Sequence, residues 1–382
     1  MKKITKVFFV SLLLFFGMTV SAMAENGVSA SQIILGQSCA LSGPAIALGT
    51  GMRAGLNAYF SKINATGGIN GRQVKLISKD DGYEPQKAIN NTHALLEQDK
   101  VFLLIGEVGT PTSKAVFPII EKSDVPFFGP FTGAEFLRNP FKKQVINVRA
   151  SYYQEMEKLA AYLVDQKKFT NIACFYQNDG YGQAGLKGIE RALKKRSMKL
   201  SAMGTYERNT TAVKSGLLQI RKAHPDAIVM VGAYKPCAAF IKLAKKVGMT
   251  KTVFCNISFV GTKALKKALG PDGEGCIVSQ VVPYPWDESI PLVKEYTSAM
   301  HKFQPDGSIG FVSLEGYMVG KLFCLAGQTV KGELTRTSLL QAIEQTGSFD
   351  LGGITLNFGP HDHQGMDKVF LTMISAGEIK PL

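Results

Sequence analysis

Along the chain, short continuous apolar runs alternate with stretches whose apolar positions recur at helical spacing. "QIILGQS" precedes a segment from Ile46 to Ile63, where Leu48, Met52, Leu56 and Phe60 repeat every four residues on one face and predict a helix. "QVKLISKD" follows, then the turn "DGYEP" and a helix near Gln86 to Glu97. "VFLLIG", "VPFFGP" and "QVINVR" continue the pattern with short helices between them. After Arg149 it repeats: helix 152–165, "NIACFY", helix 183–196, "KLSAMGTY", helix 211–223, "AIVMVGAY", helix 236–248, "TVFCNIS", helix 261–269 and "CIVSQVV". Helices over 289–303 and 310–328, "TRTSLLQAIEQT" and the strand-like runs "GITLNF" and "KVFLTMIS" complete the chain.

Apolar strands that are continuous rather than alternating, with helices between them, imply parallel sheets covered on both faces. The fold class is therefore α/β, in two lobes of similar make split near Arg149. The helices over 289–346 come after the second lobe's strands have ended, so the chain is expected to return to the first lobe.

The start of the chain has a different pattern. Lys2, Lys3 and Lys6 precede the apolar "VFFVSLLLFFGMTV", and Ala22-Met23-Ala24 offers a small-x-small cleavage site before Glu25. That run is short for a membrane span. Residues 1–24 read as an export signal cleaved after Ala24, and no cysteine follows directly to carry a lipid anchor. The formal charge of +14 includes those three lysines. The remaining basic residues are scattered at helical spacing, as in "AFIKLAKKVG", without an interleaved basic–aromatic motif. A solvated basic surface follows, not a nucleic-acid interface. Six cysteines in an exported chain raise a disulfide, with Cys237, Cys255 or Cys276 the candidates. Against it, Cys39, Cys174, Cys255 and Cys276 lie inside strand-like apolar runs where buried thiols are common.

Catalytic signatures are missing. "GEVGTPTSK" lacks the Gly-Lys-Ser/Thr ending of a phosphate loop, and no G-x-S-x-G presents a serine nucleophile. "HDH" at 361–363 has metal-ligating types but no third ligand in view, and "DD" at 80–81 reads as turn chemistry. The chain is read as a non-enzyme without cofactor or metal. What recurs is a strand, a polar turn and a helix start. Thr110 before Pro111 suits an N-cap with proline in the first turn. Thr132 with Glu135, and Ser151 with Gln154, match capping boxes, and "LSGPA" at 41–45 is a similar turn. Helix N-termini offer free N–H groups to anions, and open α/β sheets bind ligands at the carboxyl ends of their strands. Several such junctions in both lobes suggest a cleft for a small molecule.

"GGINGRQVKLISKDDGYEPQKA", "GEVGTPTSKAVFPIIEKSDVPFFGPFTGAEFLR", "NDGYGQAGLKG" and "GAYKPCAAFIKLAKKVG" resemble the solute-binding proteins of branched-chain amino-acid ABC transporters, within the wider type I periplasmic binding proteins. The resemblance runs from about Gln32 to the C-terminus. It implies two Rossmann-like lobes with parallel sheets, joined by three hinge strands: 25–148 plus 283–352, and 149–282 plus 353–382. It further implies a monomeric periplasmic receptor that closes on a small-molecule ligand and delivers it to an inner-membrane permease with a cytoplasmic ATPase. The alternative is a ligand-sensing subunit for a membrane receptor or chemoreceptor.

By position, the resemblance places Val108, Gly109, Thr110, Phe131, Thr132 and Gly133 around a ligand carboxylate. Leu48 falls where amino-acid binders carry an aromatic residue, and Tyr181 and Tyr234 would close from the second lobe. Ser151 and Ser258 stand where such binders place acids that meet the ligand's ammonium. An enclosed ammonium with no carboxylate partner costs about 3–5 kcal/mol, or roughly two to three decades of affinity. A free α-amino acid is thereby disfavoured unless Asp179, Glu107 or Glu155 reaches in. The expected solute is a carboxylate or amide with an apolar part.

Overall fold

The computed structural model describes residues 25–382. The export signal read at 1–24 lies outside the described residues. Within them, no helix is long and apolar enough to cross a membrane.

The first lobe is built on β1 (Gln32–Cys39), β2 (Gln73–Asp80), β3 (Leu104–Ile105), β4 (Phe127–Phe128) and β5 (Val145–Ile146). They form one parallel sheet in the order β2-β1-β3-β4-β5. Between them run α1 (Ile46–Asn64), α2 (Pro85–His93) and α3 (Thr110–Glu121). The second lobe begins with α4 (Tyr152–Ala160), which continues as a wider turn over Ala161–Gln166. Its strands are β6 (Ile172–Gln177), β7 (Ala202–Tyr206), β8 (Ala227–Val231), β9 (Val253–Asn256) and β10 (Ile277–Gln280). Its helices are α5 (Gly180–Lys194), α6 (Lys214–Arg221), α7 (Tyr234–Lys246) and α8 (Thr262–Leu269). Every residue of β8 is buried, as its unbroken apolar run predicts for a strand covered on both faces.

After β10 come α9 (Pro291–Phe303), α10 (Phe311–Thr329) and α11 (Arg336–Thr346). Helices α9 and α10 pack on α1 of the first lobe. α10 is buried on nearly every face, as its almost continuous apolar sequence requires. A hairpin of β11 (Ser348–Asp350) and β12 (Thr355–Asn357) stands apart from both sheets. Finally β13 (Phe370–Ser375) and β14 (Glu378–Pro381) join the second sheet antiparallel, giving the order β14-β13-β10-β9-β8-β6-β7.

Differences from the expected elements have local causes. The helix expected over 211–223 starts only at Lys214, because the Thr210 turn with its bond to Glu207 O occupies the preceding residues. "GITLNF" supplies the expected strand, β12, which pairs with β11 in a separate two-stranded sheet. The cysteines, including Cys237, Cys255 and Cys276, are separate buried thiols rather than a bridge. Burial raises the pKa of Cys237 and Cys255 well above the ordinary range and that of Cys276 to about 12. No group of three or more His, Cys, Asp or Glu among the described residues is placed to hold a metal. His363 instead lies near Val145 O and Glu344, tying the 361–364 turn to β5 and α11.

Candidate functional site

The first-lobe wall starts where β3 ends. Val108 bridges in parallel to Phe131, and the Gly109 N–H donates to Phe131 O at 3.2 Å. Gly109 has φ +115°, and a Cβ there would collide with the Tyr83 ring. Only glycine fits that turn. Gly109, not Thr110, is the N-cap of α3, and Thr110 is the first helical residue. The Thr112 hydroxyl donates back to Val108 O and Gly109 O at 2.7 and 3.0 Å. No side chain among the described residues caps the N–H groups at the start of α3, and the Thr110 hydroxyl lies 2.7 Å from Thr132 Oγ1 on the same wall.

Thr132 does not open an α-helix either. A single 3₁₀ turn, Glu135–Leu137, follows it with no side-chain cap. The Arg138 guanidinium takes the carbonyls of Thr132, Ala134 and Arg149, which a continuing helix would need. The expected Thr132–Glu135 capping box is therefore absent, and the hydroxyl bonds to Thr110. Tyr152 OH lies 3.4 Å from both threonine hydroxyls, and its N–H donates to Gly133 O at 2.7 Å. A three-hydroxyl cluster results, buried and formed by α3, the 131–133 turn and the start of α4.

Ser151 is the N-cap of α4 in a capping box with Gln154, as its sequence pattern predicts. Its side chain lines a surface groove with Glu135, Tyr153 and Glu157 and does not join the hydroxyl cluster. Four residues on, Glu155 turns fully inward. Its Oε2 accepts from Ser258 N at 2.8 Å and Ser279 Oγ at 2.6 Å. Its Oε1 accepts from Ser258 Oγ at 2.9 Å and Arg149 Nη2 at 2.7 Å. Arg149 Nη2 also donates to Ser258 Oγ.

Arg149 is the residue that sequence reading missed. It sits at the crossing between lobes, 1 % exposed. Its guanidinium carbon lies 5.2 Å from the Phe131 ring centre and 5.7 Å from that of Tyr152. Nη1 is 3.5 Å from Glu315 Oε2, too far for a good hydrogen bond. Neither Nε nor Nη1 has a hydrogen-bond partner among the described residues. Burial works against the charge, but Glu315 and Glu155 outweigh it and hold the pKa above the ordinary arginine value. The available signal was a lone cation directly after the apolar run "QVINV".

The second-lobe wall is aromatic. Phe259, on the turn between β9 and α8, places its ring centre 4.6 Å from Tyr181, 5.4 Å from Phe131 and 5.9 Å from Tyr83. Tyr181 is fully buried, 5.6 Å ring to ring from Tyr152, with its hydroxyl toward Gly232 O. Tyr234 opens α7 and meets the backbone of Ala47 in the first lobe. Leu48 packs on Gly261, whose φ of +76° and close approach leave no room for a Cβ. The structure thus brings Val108, Gly109, Thr110, Phe131, Thr132 and Gly133 together with Tyr181. Leu48 and Tyr234 sit at lobe-to-lobe contacts beside them, and Ser258 sits in the Glu155 network. Neither Phe259 nor Tyr83 was signalled beyond being an aromatic in a turn.

Of the three carboxylates that could meet an ammonium, two are engaged by protein donors and the third is buried where charge is disfavoured. Glu155 has both oxygens doubly bonded, as above. Asp179 caps α5 through Tyr181 N and Gly182 N, and accepts from Gln177 Nε2 and Arg208. Burial, then the nearby Asp81, pushes the Glu107 pKa well above the usual carboxylate range.

The periplasmic binding protein family model matches residues 32–378. The chain is 24 % identical over 242 residues to the Leu/Ile/Val-binding protein homolog 7 of Brucella abortus, a match spanning 60 % of this chain and 60 % of that relative's length. It is 39 % identical to the structure of a possible leucine/isoleucine/valine-binding protein from Rhodopirellula baltica, with TM-score 0.88, covering 94 % of this chain and 98 % of that one. The fatty acid ABC transporter substrate-binding protein from Thermomonospora curvata shares the fold at 22 % identity and TM-score 0.82, covering 94 % of this chain and 92 % of its own. Two α/β lobes, the match over most of the chain and the likeness to these structures place this chain in the periplasmic binding protein family, with the type I fold.

Proposed function

We propose that this protein is the periplasmic solute receptor of an ABC importer, capturing a small carboxylate or amide with an apolar part. The lobes, 25–148 plus 283–352 and 149–282 plus 353–382, close about three crossings and hand the solute to an inner-membrane permease. The solute's polar end meets the Thr110, Thr132 and Tyr152 hydroxyls and the N-terminus of α3, where N–H groups favour an acceptor. Its apolar part meets Phe131, Tyr181 and Phe259, with Leu48 and Tyr234 holding the lobes together at the rim. No bond is made or broken. Binding energy is used only to favour the closed arrangement.

The observation that carries this reading is the state of the acidic groups. Glu155 and Asp179 have their oxygens taken by protein donors, and burial disfavours a charge on Glu107, so a bound ammonium has no readily available anion to face. Titration calorimetry tests it with leucine, isoleucine and valine against 4-methylpentanoate, phenylacetate and the corresponding amides. The expected result is measurable binding among the acids or amides and none for the amino acids. Tight leucine binding overturns the reading.

A further inference from the structure

We propose that Arg149 is the charge partner of the solute, which is therefore a small organic acid bound as its carboxylate rather than an amide. The inference rests on the receptor reading above and narrows the solute to one chemical class.

The geometry carries it. A guanidinium has five N–H donors and is always charged. At Arg149, Nη2 bonds Glu155 and Ser258 and Nη1 faces Glu315 Oε2 at 3.5 Å, while Nε, in a fully buried residue, has no hydrogen-bond partner among the described residues. Leaving charged donors dry is costly, so such groups call for an explanation. The orphaned edge is not remote from the site. Phe131 and Tyr152 flank the guanidinium, and the same Tyr152 places its hydroxyl 3.4 Å from Thr110 and Thr132. One aromatic side chain thus joins the cation to the hydroxyl cluster and the start of α3. An acceptor held there has hydroxyl donors on one side and the guanidinium with its unpartnered Nε–H on the other. A carboxylate, with two oxygens and several lone pairs, matches that set, and it pairs with a guanidinium far better than a neutral amide does.

The surrounding charges can accommodate an added anion. Glu155 is committed to four donors. Glu315, on α10, faces Arg149, Glu155 and Arg138. Burial first, and Glu155 after it, push the Glu315 pKa up to about 7 against the pull of both arginines. A solute carboxylate beside Arg149 weakens that pull and raises Glu315 further. Acid binding is therefore coupled to proton uptake at Glu315, and affinity for the acid rises as pH falls through about 7. An amide brings no charge and takes up no proton.

The test compares phenylacetate with phenylacetamide, and 4-methylpentanoate with its amide, by calorimetry on the full-length mature protein. In wild type near pH 7, two buffers of different ionisation heat should report net proton uptake on binding the acid and none on binding an amide. Arg149→Lys should weaken the acid roughly 100-fold and the amide far less, with far-ultraviolet circular dichroism confirming the fold. Glu315→Gln should abolish the proton uptake while retaining acid selectivity. Amide binding as tight as that of the acid, or acid affinity unchanged in Arg149→Lys, overturns the inference and leaves the receptor reading standing. Binding of leucine, or of none of these probes, overturns the receptor reading and the inference together.

Discussion

Two ion networks span the lobes, built from the same parts and placed in opposite surroundings. At the mouth of the cleft Arg208 of the second lobe bonds Glu84 of the first at 2.9 Å and Asp179 at 3.2 Å. Asn209 adds bonds to Gly82 O and Glu84. At the base Arg149 stands between Glu155 and Glu315, with Ser258 and Ser279 completing the set. The side chains of Arg208 and Glu84 are 23 % and 41 % exposed, whereas those of Arg149 and Glu155 are 1 % and 0 % exposed. Water and salt can replace any contact at the mouth. They cannot do so at the base, where every donor or acceptor left over is a cost. Under the proposed function, the mouth would serve opening and closing, and the base would discriminate between ligands.

The strongest break of that comparison is Glu155→Gln. It removes the carboxylate that four donors share and leaves Arg149 short of a partner. Losing one member of a buried pair costs about 3–5 kcal/mol, so urea unfolding should show a loss of that size. A loss below about 1 kcal/mol would mean that the basal network is wetter than its burial indicates.

Next in size come Thr110→Ala and Thr132→Ala, which separate the hydroxyl cluster from helix capping. Gly109 is the N-cap of α3 and no side chain among the described residues caps that helix, so loss of either hydroxyl should leave helix capping unchanged. Binding of a solute carboxylate should weaken by roughly 1–3 kcal/mol for each, the usual range for a hydrogen bond to a charged group. Equal loss of stability and affinity would return these residues to a structural role.

Stability and pH sharpen the base further. Glu315 titrates near 7 in the folded protein, well above an ordinary glutamate. Below the ordinary value both states hold the proton; as pH rises, the unfolded chain loses it first. Glu315 therefore lowers stability progressively between about pH 4.5 and 7. Glu315→Gln should flatten the unfolding midpoint across that window, and an unchanged pH profile would mean that Arg149 and Arg138 fully offset the burial of Glu315.

How much of this was readable from sequence follows the range of the forces involved. Strands such as "AIVMV" and the face of Leu48, Met52, Leu56 and Phe60 are local patterns, and they became β8 and the buried side of α1. The capping box at Ser151 is equally local and is present. Thr110 and Thr132 were picked out for capping, yet their hydroxyls meet each other across 22 residues. The base was hidden because it is assembled from segments far apart in the chain. Glu155 meets Ser258 and Ser279, 103 and 124 residues away. No spacing rule reports such a meeting, and Arg149 looked only like the end of a strand.

The smallest expected effect belongs to the mouth. Glu84→Gln removes one carboxylate from Arg208 but leaves Asp179 and solvent to take its place. Exposed pairs are worth about 0.2–1 kcal/mol, so global unfolding should barely register the change. Closure is the better readout, because Glu84 and Arg208 lie on opposite lobes and Asp179 does not bridge them. Fluorescence transfer between dyes on the outer faces of the two lobes should show a shift toward the open arrangement in Glu84→Gln. In the wild type, added salt should produce the same shift, because half-exposed charges are screened within about 10 Å at 0.1 M. The variant should then lose most of its salt response. A salt-insensitive wild type would place the hold on the closed state at Tyr83, which takes the Gln177 amide across the lobes at 3.3 Å, and at Phe259, rather than at the ion pair.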